Sequence, residues 1–167
     1  MKRFFLFVLP VLAIAMTSCD LDVASTPTIQ LSSKQIRTSI TGVKDTISIN
    51  DSVCIGDTVR MGVAVHGVYH HLDSVWVKTD TSKVSVALLW NEEQMNLLTA
   101  DADPQHGSLI FASDTIFGIA TVLVYIPKEA GTHKIRICAR SAAKEEYSEQ
   151  ELEQAIKVKA NKVIAQF

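Results

Sequence analysis

Apolar and polar side chains alternate along much of the chain, which is the pattern of β-strands that bury one face. The clearest run lies at residues 59–66, where Val59, Met61, Val63 and Val65 occupy every second position. Shorter runs of the same kind occur at residues 46–50, 75–77, 84–90, 109–111 and 134–140. One face of each of these strands should therefore pack in a common core.

Turn signals separate the runs at mostly regular intervals, which is typical of a β-sandwich or barrel. Residues 118–126 are almost continuously apolar and predict a central strand. Asn91 and Gln94 have the spacing of a capping box, and Met95 and Leu98 fall on one helical face. The pattern predicts an all-β sandwich of about seven to eight antiparallel strands with one short helix.

The last predicted element has two interpretations. Ser148 and Glu151 also have capping-box spacing, and Leu152 and Ile156 fit the repeat of a helix. Ile156 and Val158, however, alternate with lysines, as they would in a strand. We favour the strand and keep the helix as the alternative.

Residues 127–142 (PKEAGTHKIRICARSA) resemble the corner and the following strand of bacterial immunoglobulin-like domains. Those domains often have a proline, a short turn, Gly-Thr-Tyr and then an alternating strand. His133 stands in the place of the tyrosine, so the resemblance implies that it packs at the sandwich end and bonds a backbone group just upstream. The resemblance also implies an immunoglobulin-like β-sandwich, which we place at residues 46–167.

The first eighteen residues have the order of a secretory signal. Lys2 and Arg3 are followed by an apolar run at residues 4–16, which is too short to span a bilayer as a helix, and then by small residues. Cys19 comes next, so the segment resembles the lipobox of bacterial lipoproteins. The resemblance implies cleavage before Cys19 and lipidation of its thiol; an ordinary cleaved signal is the alternative.

Residues 19–45 are rich in Ser, Thr and Asp and are predicted to be the lipidated cysteine and a tether, of which residues 28–31 could add an edge strand. The chain as a whole resembles small immunoglobulin-like lipoproteins of the Bacteroidetes group, a family with no agreed activity. The resemblance implies an outer-membrane location. Asp20 and Asp22 resemble surface-export signals and favour the cell-surface face over the periplasmic one.

The charge balance and the absent catalytic motifs exclude several classes of function. Without Lys2 and Arg3 the remaining basic residues are outnumbered by the 18 acidic ones, so no basic face for nucleic acid is expected. The signatures of serine hydrolases, zinc proteases, P-loop proteins and thiol oxidoreductases are absent from the sequence. We expect a membrane-anchored envelope lipoprotein with one non-catalytic interaction domain and no cofactor. A carbohydrate-binding accessory lipoprotein is the alternative.

The expected partners are membrane lipid, through acyl chains on Cys19, and an envelope protein or a glycan. Trp76 and Tyr69 are candidate ligand contacts, because Trp76 is out of phase with its apolar neighbours and an aromatic face can stack on a sugar. Trp90 is in phase with the core. The acidic run at residues 144–153 is interpreted as a loop at one end of the sandwich, where a partner could bind.

The remaining candidates are two cysteines and two groups of metal-ligating residue types. Cys54 and Cys138 could pair in an oxidising compartment, but Cys138 has the phase of the outer face, and two free thiols are favoured.

The cluster of His66, His70, His71 and Asp73 has metal-ligating types, and Asp101 and Asp103 superficially resemble a calcium loop. Solvated loops are the preferred interpretation of both, so no metal site is predicted.

Overall fold

The computed structural model describes residues 25–160, which form a sandwich of two five-stranded sheets. In chain order the strands are β1 (Thr28–Thr38), β2 (Lys44–Ser48), β3 (Val53–Cys54), β4 (Thr58–His66), β5 (Leu72–Lys78), β6 (Val84–Leu89), β7 (Ser108–Ile110), β8 (Gly118–Pro127), β9 (Gly131–Ser141) and β10 (Glu149–Lys159).

Sheet I has the strand order β2-β1-β4-β8-β6, and sheet II has the order β3-β10-β9-β5-β7. All neighbouring strands are antiparallel except β3 and β10, which are parallel. The order β1-β4-β8-β6 in one sheet and β5-β9-β10 in the other corresponds to strands ABED and CFG of immunoglobulin domains. The predicted immunoglobulin-like sandwich is confirmed.

The predicted strand count was too low, because the described part of the chain contains ten strands. Part of the difference comes from β3, which has only two residues and is held by backbone pairing of Val53 with Val158 and of Cys54 with Lys159. An alternation of period two cannot be detected over so short a segment.

The first strand corrects the predicted boundary between tether and domain. β1 begins at Thr28, not near residue 46, and it pairs with β4 on one side and with β2 on the other, so it is not an edge strand. Its buried residue Gln35 is polar, and its amide oxygen accepts a hydrogen bond of 3.0 Å from the Tyr125 hydroxyl. The sequence pattern identifies a strand by large apolar side chains at its buried positions. Here the buried position holds a polar side chain whose hydrogen bond is satisfied, so the pattern did not reveal the strand.

The core lies between the two sheets, as the alternation predicts. In β4 the residues Val59, Met61, Val63 and Val65 are buried, and the residues between them are exposed. In β9 Ile137 is 0% exposed. β10 is a strand of eleven residues, so the strand interpretation is confirmed and the helical alternative is wrong.

The predicted short helix is present as a 3-10 helix at Glu92–Leu97, and the Asn91 side chain accepts a hydrogen bond from the Glu93 N–H. Two further 3-10 helices occupy Pro104–His106 and Glu145–Tyr147. Trp90 packs against the core as predicted, with its ring centroid 5.9 Å from that of Phe111.

The predicted signal peptide at residues 1–18, the lipidation site Cys19 and the first tether residues, up to 24, lie outside the described residues. Between residues 25 and 160, no helix is both long enough and apolar enough to cross a bilayer.

Candidate functional site

The outer face of sheet II brings together several of the candidate residues. Trp76, Cys138 and Glu151 lie side by side on β5, β9 and β10. The Lys78 Nζ lies 5.6 Å from the Trp76 ring centroid and 3.4 Å from a carboxylate oxygen of Glu151. The Trp76 side chain is therefore half-buried, and the Lys78 ammonium occupies the position from which a ligand would approach that ring face.

Cys138 lies beneath this cluster and is 2% exposed. Its neighbours Ile137 and Ala139 belong to the core cluster, so the prediction that Cys138 points away from the core is confirmed. Its thiol lies 3.5 Å from a Glu151 carboxylate oxygen, and burial raises its pKa to about 11. The thiol stays protonated at neutral pH and is a poor nucleophile. Cys138 and Cys54 are both free, as favoured from the sequence.

Ion pairs cover the rest of this face. Lys134 and Glu153 are 2.8 Å apart, and Arg136 lies 3.3 Å from Glu153 and 3.6 Å from Glu151. The hydrogen bond from Lys134 lowers the pKa of Glu153. The acidic run at residues 144–153 is therefore not all loop: its second half belongs to β10, where its carboxylates pair with bases on β9.

A shallow groove of about 380 Å³ lies beside these pairs and is lined by Lys78, Lys83, Lys134, Arg136 and Asp80, among others. Its basic character does not make it an anion site. Each of the four basic side chains already faces a carboxylate within 4.0 Å: Lys83 faces Asp80, and the other three face glutamates of β10.

Tyr69 lies apart from Trp76, in the loop between β4 and β5, and is 65% exposed. The loop is a tight turn in which the Gly67 carbonyl accepts a hydrogen bond from the His70 N–H. The His66 Nδ1 accepts one from the Val68 N–H, and Val68 has a positive φ of 61°. Tyr69 projects from this turn, whereas Trp76 lies within a strand, so the two rings do not belong to one element.

The metal-ligating residue types do not converge. Within residues 25–160, no three His, Cys, Asp or Glu side chains come together in an arrangement that could hold a metal ion. His71 lies 3.4 Å from Asp73, as a simple pair. Asp103 caps the helix at Pro104–His106 and lies 2.7 Å from the His106 ring.

His133 occupies the position that the immunoglobulin resemblance implies. It lies near the start of β9, is 8% exposed, and its Nε2 is 2.7 Å from the Glu129 carbonyl oxygen, four residues upstream. Since a carbonyl only accepts, the ring nitrogen donates. The prediction that His133 packs at the sandwich end and bonds a local backbone group is confirmed.

Replacing His133 with tyrosine should therefore preserve or raise the free energy of unfolding, because a hydroxyl can supply the same donor. Replacement with alanine should cost about 1 kcal/mol, the usual net contribution of one hydrogen bond. Urea denaturation of both variants measures the difference. Equal destabilisation by tyrosine and alanine would contradict a corner role for His133.

The outer face of sheet I is a feature that our sequence analysis missed. The outward residues of β4, β6 and β8 are small or aliphatic over most of their length, and we call them the apolar face: Gly62, Ala64, Ser85, Ala87, Leu89, Gly118, Ala120, Val122, Val124 and Ile126. Leu89 is 49% exposed and Ile126 is 37% exposed. The signal was present in the sequence, because β8 is apolar at its outward positions as well as its inward ones.

Comparisons with known proteins identify a distant structural similarity and no family. No protein-family model matches the chain, and no curated protein matches it. Among solved structures, the chain is similar to the crystal structure of the Salmonella SafD adhesin, with 13% sequence identity and a TM-score of 0.40. The match covers 80% of this chain and 99% of that one.

Proposed function

We propose that this chain is a lipoprotein of the cell envelope, anchored to the outer membrane through acyl chains on Cys19, and that its sandwich is a non-catalytic interaction domain. The observation that carries the proposal is the position of Cys19. It follows a basic start, an apolar run at residues 4–16 and the small residues Thr17 and Ser18. Two or three acyl chains on one residue are sufficient for stable anchoring.

The start of β1 agrees with a short connection to the membrane. Residues 20–27 join Cys19 to Thr28, and a fully extended chain of that length spans about 30 Å at most. Thr28 pairs with His66, and Leu72 pairs with Ser141, so the loops at residues 67–71 and 142–148 lie at the same end of the sandwich as the tether.

We assign the surface-exposed face of the outer membrane as the location, on the basis of Asp20 and Asp22 directly after the anchor. Proteinase K added to intact cells should then digest the protein. Digestion only after lysis would place it in the periplasm instead.

Carbohydrate binding is the second candidate function. It is supported by the exposure of Tyr69 and by the outward position of Trp76 on sheet II, where a sugar would have to displace Lys78 from the Trp76 ring. A glycan array probed with the purified protein distinguishes it from a protein-interaction role. A reproducible glycan signal that disappears in Trp76→Ala would favour carbohydrate binding, and an array without signal would count against it.

Replacing Cys19 with alanine tests the anchor. The variant should lose acylation and leave the membrane fraction, or remain uncleaved, because no thiol is available to accept lipid. Fractionation in high salt and the mass of the mature chain are the measurements. Cys54→Ala is the matched control and should fractionate like the parent protein. A Cys19→Ala variant that matures and stays in the membrane would contradict the proposal.

A further inference from the structure

The two outer faces of the sandwich differ in chemistry. Sheet II carries charged side chains of both signs, including the pairs of Lys134 with Glu153 and of Arg136 with Glu151. Sheet I carries the apolar face, which has no charged side chain. Because Gly62 and Ala64 of β4 pair with Val122 and Ala120 of β8, the centre of this face is flat. A flat sheet surface with exposed aliphatic side chains and no charge is a candidate for contact with a partner or a membrane.

The charged residues that point outward from the strands of sheet I all have one sign. Arg60 points outward from β4, next to Ile36 of β1, which is 50% exposed. Lys34 and Lys44 point outward from β1 and β2. None of the outward positions on the five strands of sheet I is an Asp or a Glu. The apolar face thus has basic side chains on its side toward β1 and β2.

We propose that the apolar face rests on the anionic surface of the membrane to which Cys19 is anchored. This inference depends on the proposed lipid anchor. Aliphatic side chains such as Leu89 and Ile126 would enter the interface, while the long stems of Lys34, Lys44 and Arg60 keep their charged ends at the lipid headgroups. Each basic residue near an anionic membrane contributes separately to its attraction to the surface. Lys34, Lys44 and Arg60 together therefore favour the orientation in which sheet I faces the membrane.

Two observations favour lipid over a second copy of the chain. A face-to-face dimer would enclose six basic groups with no acidic group on either face, which is electrostatically unfavourable. An anionic membrane supplies the missing charge. In addition, the described part of the tether joins the sandwich at Thr28, an exposed outward position on sheet I itself, so the domain is attached through the sheet that carries the apolar face.

The test uses the lipidated full-length protein in vesicles, with an environment-sensitive NBD fluorophore on a single introduced cysteine. Leu89→Cys places the label on the apolar face, and Lys157→Cys places it on the outer side of β10. Both are made with Cys54→Ser and Cys138→Ser, and circular dichroism checks their folding. Dithionite, which does not cross bilayers, should reduce the label at position 89 more slowly than the label at position 157 in vesicles containing phosphatidylglycerol.

Charge reversal supplies the matched control. Arg60→Glu should lower the equilibrium constant between the docked and the undocked domain on phosphatidylglycerol vesicles about thirtyfold, since it changes the charge near the surface by two units. The measurement is the protection of the label at position 89 from dithionite. Lys157→Glu makes the same change on the other sheet and should have little effect. The label at position 89 should also be more accessible in vesicles of phosphatidylcholine alone than in those containing phosphatidylglycerol.

Flotation of the vesicles separates this inference from the anchor itself. Protein that floats in high salt but shows equal reduction rates at positions 89 and 157 would overturn the docking and leave the anchor intact. Protection at position 89 that depends on protein concentration and not on phosphatidylglycerol would indicate a second copy and would also overturn it. Protein that does not float would refute the proposed anchor, and the docking with it.

Discussion

Replacing Ile137 with alanine should lower the free energy of unfolding by about 2–5 kcal/mol, the usual cost of truncating a buried aliphatic side chain. Ile137 lies in the middle of β9, is 0% exposed and belongs to the core cluster. Sheets on both sides of the core hold its neighbours in place, so the cavity cannot collapse fully. Urea denaturation followed by circular dichroism measures the loss.

Arg136→Ala is the matched control, one residue away on the opposite face of β9. Arg136 is exposed, and its ion pairs with Glu151 and Glu153 lie at the surface. Exposed pairs contribute about 0.2–1 kcal/mol, so this variant should be much less destabilised. Equal losses at the two positions would show that the face assignment of β9 is wrong.

Replacing Gly67 with alanine should have the second-largest effect on stability. A Cβ atom at this position would lie 2.1 Å from the His70 carbonyl oxygen, which is backbone and cannot swing away. The turn is also held by the hydrogen bonds of the Gly67 N–H to the Phe117 carbonyl and of the His70 N–H to the Gly67 carbonyl. Relieving the overlap must distort these bonds, at an expected cost of about 1–3 kcal/mol.

Gly62→Ala tests whether this loss comes from the close contact and not from removing any glycine. Gly62 lies in β4, the strand that precedes the turn, and its added Cβ would have an ordinary contact of 3.5 Å with the Ser32 side chain. Alanine there should be neutral or stabilising by about 0.4–1 kcal/mol, because it reduces the freedom of the unfolded chain. If Gly67→Ala is as stable as Gly62→Ala, the turn is not constrained as described.

The strands that the sequence predicts well are those in which one face is apolar. β4 and β9 have large apolar residues at every second position, and burial follows that order. β1 has this signal only at Ile29 and Leu31, because a register shift follows Leu31 and the buried residue beyond it, Gln35, is polar; the rest of the strand is recognisable only from its backbone pairing on both sides. Pairing of this kind depends on where distant strands lie, and no local pattern contains that information.

The candidate sites also differ in whether they depend on local sequence or on the pairing of distant strands. The role of His133 was predictable, because it depends on a local turn and a carbonyl four residues upstream. The surroundings of Trp76 were not, since Lys78, Cys138 and Glu151 come from three strands that only the sheet brings together. The apolar face was missed for a third reason: outward small residues on β4 and β8 become a surface only once the two strands are paired.

The parallel pairing of β3 with β10 has a consequence for how the chain folds. Val53 of β3 pairs with Val158 of β10, so β3 cannot form its backbone hydrogen bonds until β10 has been synthesised and has folded. A topology dominated by such distant pairings folds slowly, in milliseconds to seconds. For the exported lipoprotein proposed above, this delay would be useful, because the first half of the chain lacks the partner that completes sheet II and would stay unfolded during export.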